Sequence, residues 1–144
     1  MAESAVDVAA RALARRDRSE ADVRRILARK GVAESDADEA LETLRRTGAL
    51  DDERFAAATA QTLAARGYGD RAIVFRLGRE GIDRESAVEA VSLLRPEPER
   101  AAALVERKGV SPQTERWLLG RGFARESIDH AVPAVAETAA SELG

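Results

Sequence analysis

One register relates three stretches of this chain, and that repetition constrains the fold more than any other feature. Val23-Arg24-Arg25-Ile26-Leu27-Ala28-Arg29-Lys30-Gly31-Val32 lies over Ile73-Val74-Phe75-Arg76-Leu77-Gly78-Arg79-Glu80-Gly81-Ile82 at an offset of 50 residues, with the glycines in coincidence. A third copy follows 41 residues further on, where Leu118, Gly122 and Phe123 fall on Leu77, Gly81 and Ile82. Arg84-Glu85-Ser86 recurs as Arg125-Glu126-Ser127, and Leu13, Leu63 and Leu104 agree upstream. Downstream, Ala40, Ala90 and Ala131 agree, as do Leu44, Leu94 and Val135. Such a repeat is one supersecondary unit that stacks on its neighbours. The units divide as 1–50, 51–95 and 96–144.

Each unit reads as three helices, near 4–16, 20–30 and 35–46, then 52–66, 70–80 and 84–94, then 98–108, 112–121 and 125–137. Alanine, arginine and glutamate dominate, and these lose little side-chain freedom in a helix. Ser19-Glu20-Ala21-Asp22 resembles a capping box. Asp51-Asp52-Glu53 sets carboxylates at the positive end of a helix, which outweighs a metal-site reading. Asp83 and Ser111 are suitable N-caps, and Pro112 suits a first helical position. Gly31, Gly48, Gly67, Gly81, Gly109 and Gly122 are the stops. Pro133 is expected to kink or shorten the last helix. Arg95-Pro96-Glu97-Pro98 reads as the one evident linker.

The inward stripes follow helical spacing: Ala37, Leu41 and Leu44, then Ala87, Val91 and Leu94, then Ile128, Val132 and Val135. Phe55 is expected in the core. A unit of this size buries too little surface to be secure alone, so stacking is expected to help. The resulting fold class is all-α: three tandem three-helix repeats in an elongated, curved array.

Several chemistries are set aside by composition. There is no cysteine, which removes disulfides and thiol catalysis and fits a reducing, cytoplasmic setting. His130 is the only histidine, which argues against a histidine metal site or catalytic triad. Gly67-Tyr68-Gly69 lacks the lysine and hydroxyl residue of a phosphate loop and reads as a turn. No nucleophile–base pair stands out, so no enzyme and no cofactor is expected. No stretch approaches the roughly 18–20 apolar residues that span a bilayer, and no membrane association is expected.

Charge is unevenly placed. The net charge is −3 and the pI about 5.4, so direct DNA binding is expected to be weak. Yet residues 11–30 carry eight bases against Asp17, Glu20 and Asp22, while residues 31–44 carry five acids and no base. Arg15, Arg16, Arg18, Arg24, Arg25, Arg29 and Lys30 form a candidate partner-binding ridge. Arg54, Arg66, Arg71 and Arg76 extend the candidate set into the second unit. A solvated face paired along and between helices is the competing reading. Arg54 is placed either to clamp a neighbouring loop or to face a partner. Trp117 is either an exposed anchor or packs on the preceding unit. Val23–Leu44 also has a superficial helix-turn-helix layout, which offers a DNA-binding module as an alternative, although the acidic third helix opposes entry into a major groove.

The chain resembles the RecX family. Leu13-Ala14-Arg15-Arg16-Asp17-Arg18-Ser19-Glu20-Ala21-Asp22-Val23-Arg24-Arg25 is similar to that family's first-repeat signature, and Lys30-Gly31 follows in place. Gly48-Ala49-Leu50-Asp51-Asp52-Glu53-Arg54-Phe55-Ala56 resembles its most recognisable motif. Gly67-Tyr68-Gly69, Ile73, Leu77 and Gly81-Ile82 complete the second repeat, and residues 96–137 match in layout. The resemblance implies a regulator that binds the RecA recombinase as its filament on single-stranded DNA, and the chain is expected to be a monomer. It further implies an effect on filament growth, ATP hydrolysis and strand exchange.

Overall fold

A computed structural model describes residues 3–143. These residues form nine α-helices and no strand. The first unit holds α1 (Ala5–Arg15), α2 (Glu20–Arg29) and α3 (Glu34–Arg46). The second holds α4 (Asp52–Ala65), α5 (Asp70–Arg79) and α6 (Arg84–Ser92). The third holds α7 (Glu97–Lys108), α8 (Pro112–Gly120) and α9 (Arg125–Leu143). In every unit the first and third helices pack together and the second lies against both.

The caps explain the starts. Ser19, Asp83 and Ser111 each accept a hydrogen bond from the backbone N–H three residues on. Asp51 does the same for Arg54 at 3.1 Å and opens α4, with Phe55 buried behind it. One expectation fails, and one alternative of a second does. Glu97 and Pro98 are not linker but the first turn of α7, with Pro96 as its N-cap. Proline is harmless there because a first-turn N–H has no partner inside the helix. Pro133 does not shorten α9, which continues to Leu143. A proline removes one donor and crowds one carbonyl. Packing along α7, through Val132 and Val135, holds the helix across that fault.

Three cores form, one per unit. Val23, Leu27 and Leu41 centre the first, Phe55, Ile73 and Leu77 the second, and Leu118, Phe123 and Ile128 the third. Stacking therefore does not merge the cores. The accessible surface is 9035 Å². A compact monomer of this mass would expose about 7,200 Å². The excess is the signature of an extended array.

The units meet through the ends of their second helices. The turn closing α5 sits on the start of α2, where a Cβ on Gly81 would overlap the Ala21 methyl. The turn closing α8 sits on the start of α5, where a Cβ on Gly122 would overlap Ala72. Both glycines also have positive φ, 84° and 91°, so two demands exclude a side chain there. The negative end of one helix thus faces the positive end of the next. Carboxylates complete each joint: Asp52 accepts from the Glu20 N–H at 2.7 Å, and Glu97 accepts from Asp70 N–H at 2.7 Å and Ala124 N–H at 3.0 Å.

Candidate functional site

The arginines predicted to meet a partner fall into three groups. Some hold the fold. Arg18 is nearly buried, donates to the Ala12 carbonyl at 3.0 Å and pairs with Asp22 at 2.9 Å. Arg24 pairs with Asp38 at 2.7 Å and ties α2 to α3. Arg54 donates to the Gly48 and Ala49 carbonyls at 2.9 and 3.2 Å and reaches Asp17 at 3.4 Å. It clamps the loop before its own helix and the turn of the preceding unit.

A second group stays exposed. Arg16 and Arg25 each lie 3.6 Å from Asp22, which already serves Arg18, so three guanidiniums share one carboxylate. Arg15, Arg29 and Lys30 are exposed and make no ion pair among the described residues. Glu20 is committed elsewhere. Its carboxyl is held below the ordinary range because Arg45 hydrogen-bonds it, which outweighs burial. The ridge is therefore left with uncompensated positive charge.

The third group gathers in a cleft of 650 Å³ between the first two units. Arg16 comes from the α1–α2 turn, Arg66 from the end of α4, and Arg76 and Arg79 from α5. Only Asp17 and Glu80 oppose them on its walls, while Phe55, Thr59 and Leu63 line it from α4. Arg76 lies 4.9 Å from the centre of the Tyr68 ring, within cation–π range. Arg79 was not singled out from the sequence, because only folding sets the end of α5 beside the α1–α2 turn.

A pair of related grooves lies at the joints. At the first, Glu20, Ala21, Arg24, Arg25 and Gly81 border a depression of 570 Å³. At the second, the repeat-equivalent residues Asp70, Arg71, Val74, Phe75 and Gly122 border one of 720 Å³, joined by Val88 and Leu119. Arg71 flanks this groove while its backbone N–H donates to the Gly122 carbonyl at 3.3 Å. Trp117 does not stand free. Its ring meets Gly67 of the preceding unit, with Lys108 and Arg121 over its faces at 4.1 and 5.2 Å.

Residues 5–44 match the family model described as "RecX, first three-helix domain", and residues 51–91 match "RecX, second three-helix domain". The chain belongs to the RecX family. It is 36% identical over 135 residues to the regulatory protein RecX of Chromohalobacter salexigens, covering 88% of this chain and 89% of that one. It is 33% identical over 126 residues to regulatory protein RecX of Xanthomonas oryzae pv. oryzae, covering 81% and 79%. The crystal structure of RecX from Lactobacillus salivarius superposes with a TM-score of 0.81 at 20% identity, over 92% of this chain and 94% of that chain. At that identity the superposition speaks for the fold. Among the described residues no helix is long and apolar enough to cross a membrane.

Proposed function

We propose that this chain is a regulator of the RecA recombinase that binds the RecA filament on single-stranded DNA and limits its growth, ATP hydrolysis and strand exchange. Its relatives are named regulatory protein RecX. The observation that supports the reading best is the surplus of exposed arginine on one stretch of an otherwise acidic chain. Arg15, Arg16, Arg25 and Arg29 are exposed along α1 and α2, with Arg25 bordering the joint to the second unit, and the Arg16–Arg66–Arg76–Arg79 cleft opens between those same units. Planar guanidinium forks bind carboxylates and phosphates two bonds at a time. A filament offers both groups and repeats them, so several units of one array engage together.

The test is co-sedimentation with RecA on single-stranded DNA, beside DNA alone, with RecA ATPase measured in parallel. Arg25→Glu with Arg29→Glu is expected to weaken filament binding at least tenfold, about 1.4 kcal/mol, and to leave the thermal melt nearly unchanged. Arg24 is avoided in this variant because it makes the 2.7 Å tie from α2 to Asp38 of α3, whereas Arg25 is only one of three guanidiniums on Asp22. Wild-type protein that stays in the supernatant with filaments would overturn the proposal. Double-mutant binding equal to wild type would move the contact off this ridge.

A further inference from the structure

Phe75 is 66% exposed, in a chain with only 3% aromatic residues. Beside it in the second joint groove are Val88 and Leu119, 46% and 37% exposed. Arg71 and Arg84 flank this apolar floor, and neither makes an ion pair among the described residues. The groove is preformed. Its lower wall is the Gly122 turn, and that turn is bound to α5 by Gly69 N–H to the Arg121 carbonyl at 2.8 Å and by Arg71 N–H to Gly122.

The same groove at the first joint carries Arg24 and Arg25 where this one carries Val74 and Phe75. One fold position, repeated one unit along the array, therefore shows Arg24 and Arg25 beside Glu20 and Asp52 first, and then an apolar pocket with Arg71 and Arg84 on its rim, where the one acid, Asp70, is already paired with Arg100. Val74 packs against the core of the second unit, but that core closes without Phe75, so no requirement of the fold explains the exposed ring.

We propose that the Phe75 groove is a docking site for an acid-flanked apolar side chain on the protein surface of the filament. This rests on the filament-binding reading above. An exposed apolar patch rimmed by charge is the usual form of a protein contact, with the apolar anchor supplying affinity and the rim selecting charge. Nucleic acid fits less well. Bases stack on aromatic faces, and around Phe75 the floor is Val74, Val88 and Leu119, with no second ring. A second copy of this chain docking through α3 fits less well too. Acidic α3 presents Glu34, Asp36, Glu39 and Glu42 but no large exposed apolar side chain.

The experiment compares wild type with Phe75→Glu and with Arg71→Glu/Arg84→Glu. It measures binding to RecA filaments, binding to single-stranded DNA alone, and sedimentation velocity of the chain by itself. Wild type is expected to bind filaments, Phe75→Glu to bind at least tenfold more weakly, and the arginine pair to lose binding that salt also removes. Binding to DNA alone and the thermal melt should not change. If wild type binds filaments and Phe75→Glu binds equally, the groove is not the site and the regulatory reading stands. If wild type does not bind filaments, both fall. Loss of DNA binding by Phe75→Glu would reassign the groove to nucleic acid. A dimer that this substitution dissolves would reassign it to a second copy, with Leu143 beside Glu142 at the end of α9 as the exposed apolar anchor.

Discussion

The two joints of the array use one plan and differ in strength. At the first, Asp52 covers one N–H, Arg54 reaches Asp17, and Gly81 leaves room for Ala21. The second has the same kind of carboxylate, Glu97, but it covers two N–H groups and is buried. Arg100, with its side chain only 10% exposed, bonds Asp70 and the Tyr68 carbonyl, and Arg121 bonds the Arg66 and Gly67 carbonyls. Backbone meets backbone at Gly69–Arg121. Arg121 also lies 3.9 Å from the centre of the Tyr68 ring. The second and third units are therefore fastened as one body, and the first is attached by a slimmer contact. Separate cores make this possible: no shared apolar core crosses a joint, so hydrogen bonds, ion pairs and a few close contacts such as Trp117 on Gly67 set its stiffness.

Breaking the stronger joint should cost most. Glu97→Ala leaves the Asp70 and Ala124 N–H groups without their acceptor. At about 1–3 kcal/mol per buried unsatisfied donor, the expected loss is about 3 kcal/mol in denaturant melting. Asp52→Ala, the same change at the first joint, removes one partly exposed cap and should cost about 1 kcal/mol. Equal losses would erase the difference between the joints.

Gly69→Ala probes contact rather than charge. Gly69 has an ordinary φ of −85°, so alanine is not strained there by the backbone itself. Its Cβ would, however, lie 2.6 Å from the Gly122 oxygen and overlap neighbouring backbone of the third unit. Overpacking against backbone is expected to cost about 1–3 kcal/mol. Hydrogen exchange should speed up in the first turns of α5 and at Gly122–Phe123, and α1–α3 should be unaffected. A change confined to α1–α3 would contradict the assignment of this contact.

The smallest effect concerns pH. Burial pushes the Asp52 carboxyl above its usual range, against the lowering effect of the Glu20 N–H. Its charged form is thus disfavoured by folding. Ionisation of Asp52, as distinct from its hydrogen bond to Glu20, weakens the fold at neutral pH, and that penalty is relieved as pH falls through the raised folded value toward the ordinary carboxylate value. Asp52→Asn keeps an oxygen for the Glu20 N–H without the charge. Its melting temperature should be slightly above wild type at pH 7, and the difference should vanish near the ordinary carboxylate pKa. A lower melting temperature at pH 7 would show that the charge on the N–H outweighs desolvation.

Much of this was legible in the chain. Helix starts at Ser19, Asp51, Asp83 and Ser111 and the glycine stops are local events, decided within a few residues, so a linear reading reaches them. The failures were at places where a distant element intervenes. Glu97 lies between two prolines and reads as linker, yet its carboxylate joins α5 to the turn before α9. Pro133 reads as a kink or a shortening, yet α9 packs along α7 and runs on to Leu143. Among the arginines, composition could not separate Arg18 and Arg54, spent on carbonyls and carboxylates, from Arg16 and Arg25, which share one acid.

The sequence by itself determined the all-helical units, their number and register, and the family, because each follows from short-range propensity, caps and a repeat visible as text. Only the tertiary structure decided that the cores stay apart and that the joints are polar. It alone showed that Phe75 stands in a groove with Val88 and Leu119, and that Arg16, Arg66, Arg76 and Arg79 share a cleft. Those outcomes depend on how the end of one helix meets the start of another some 50–60 residues away, and no local preference encodes that meeting.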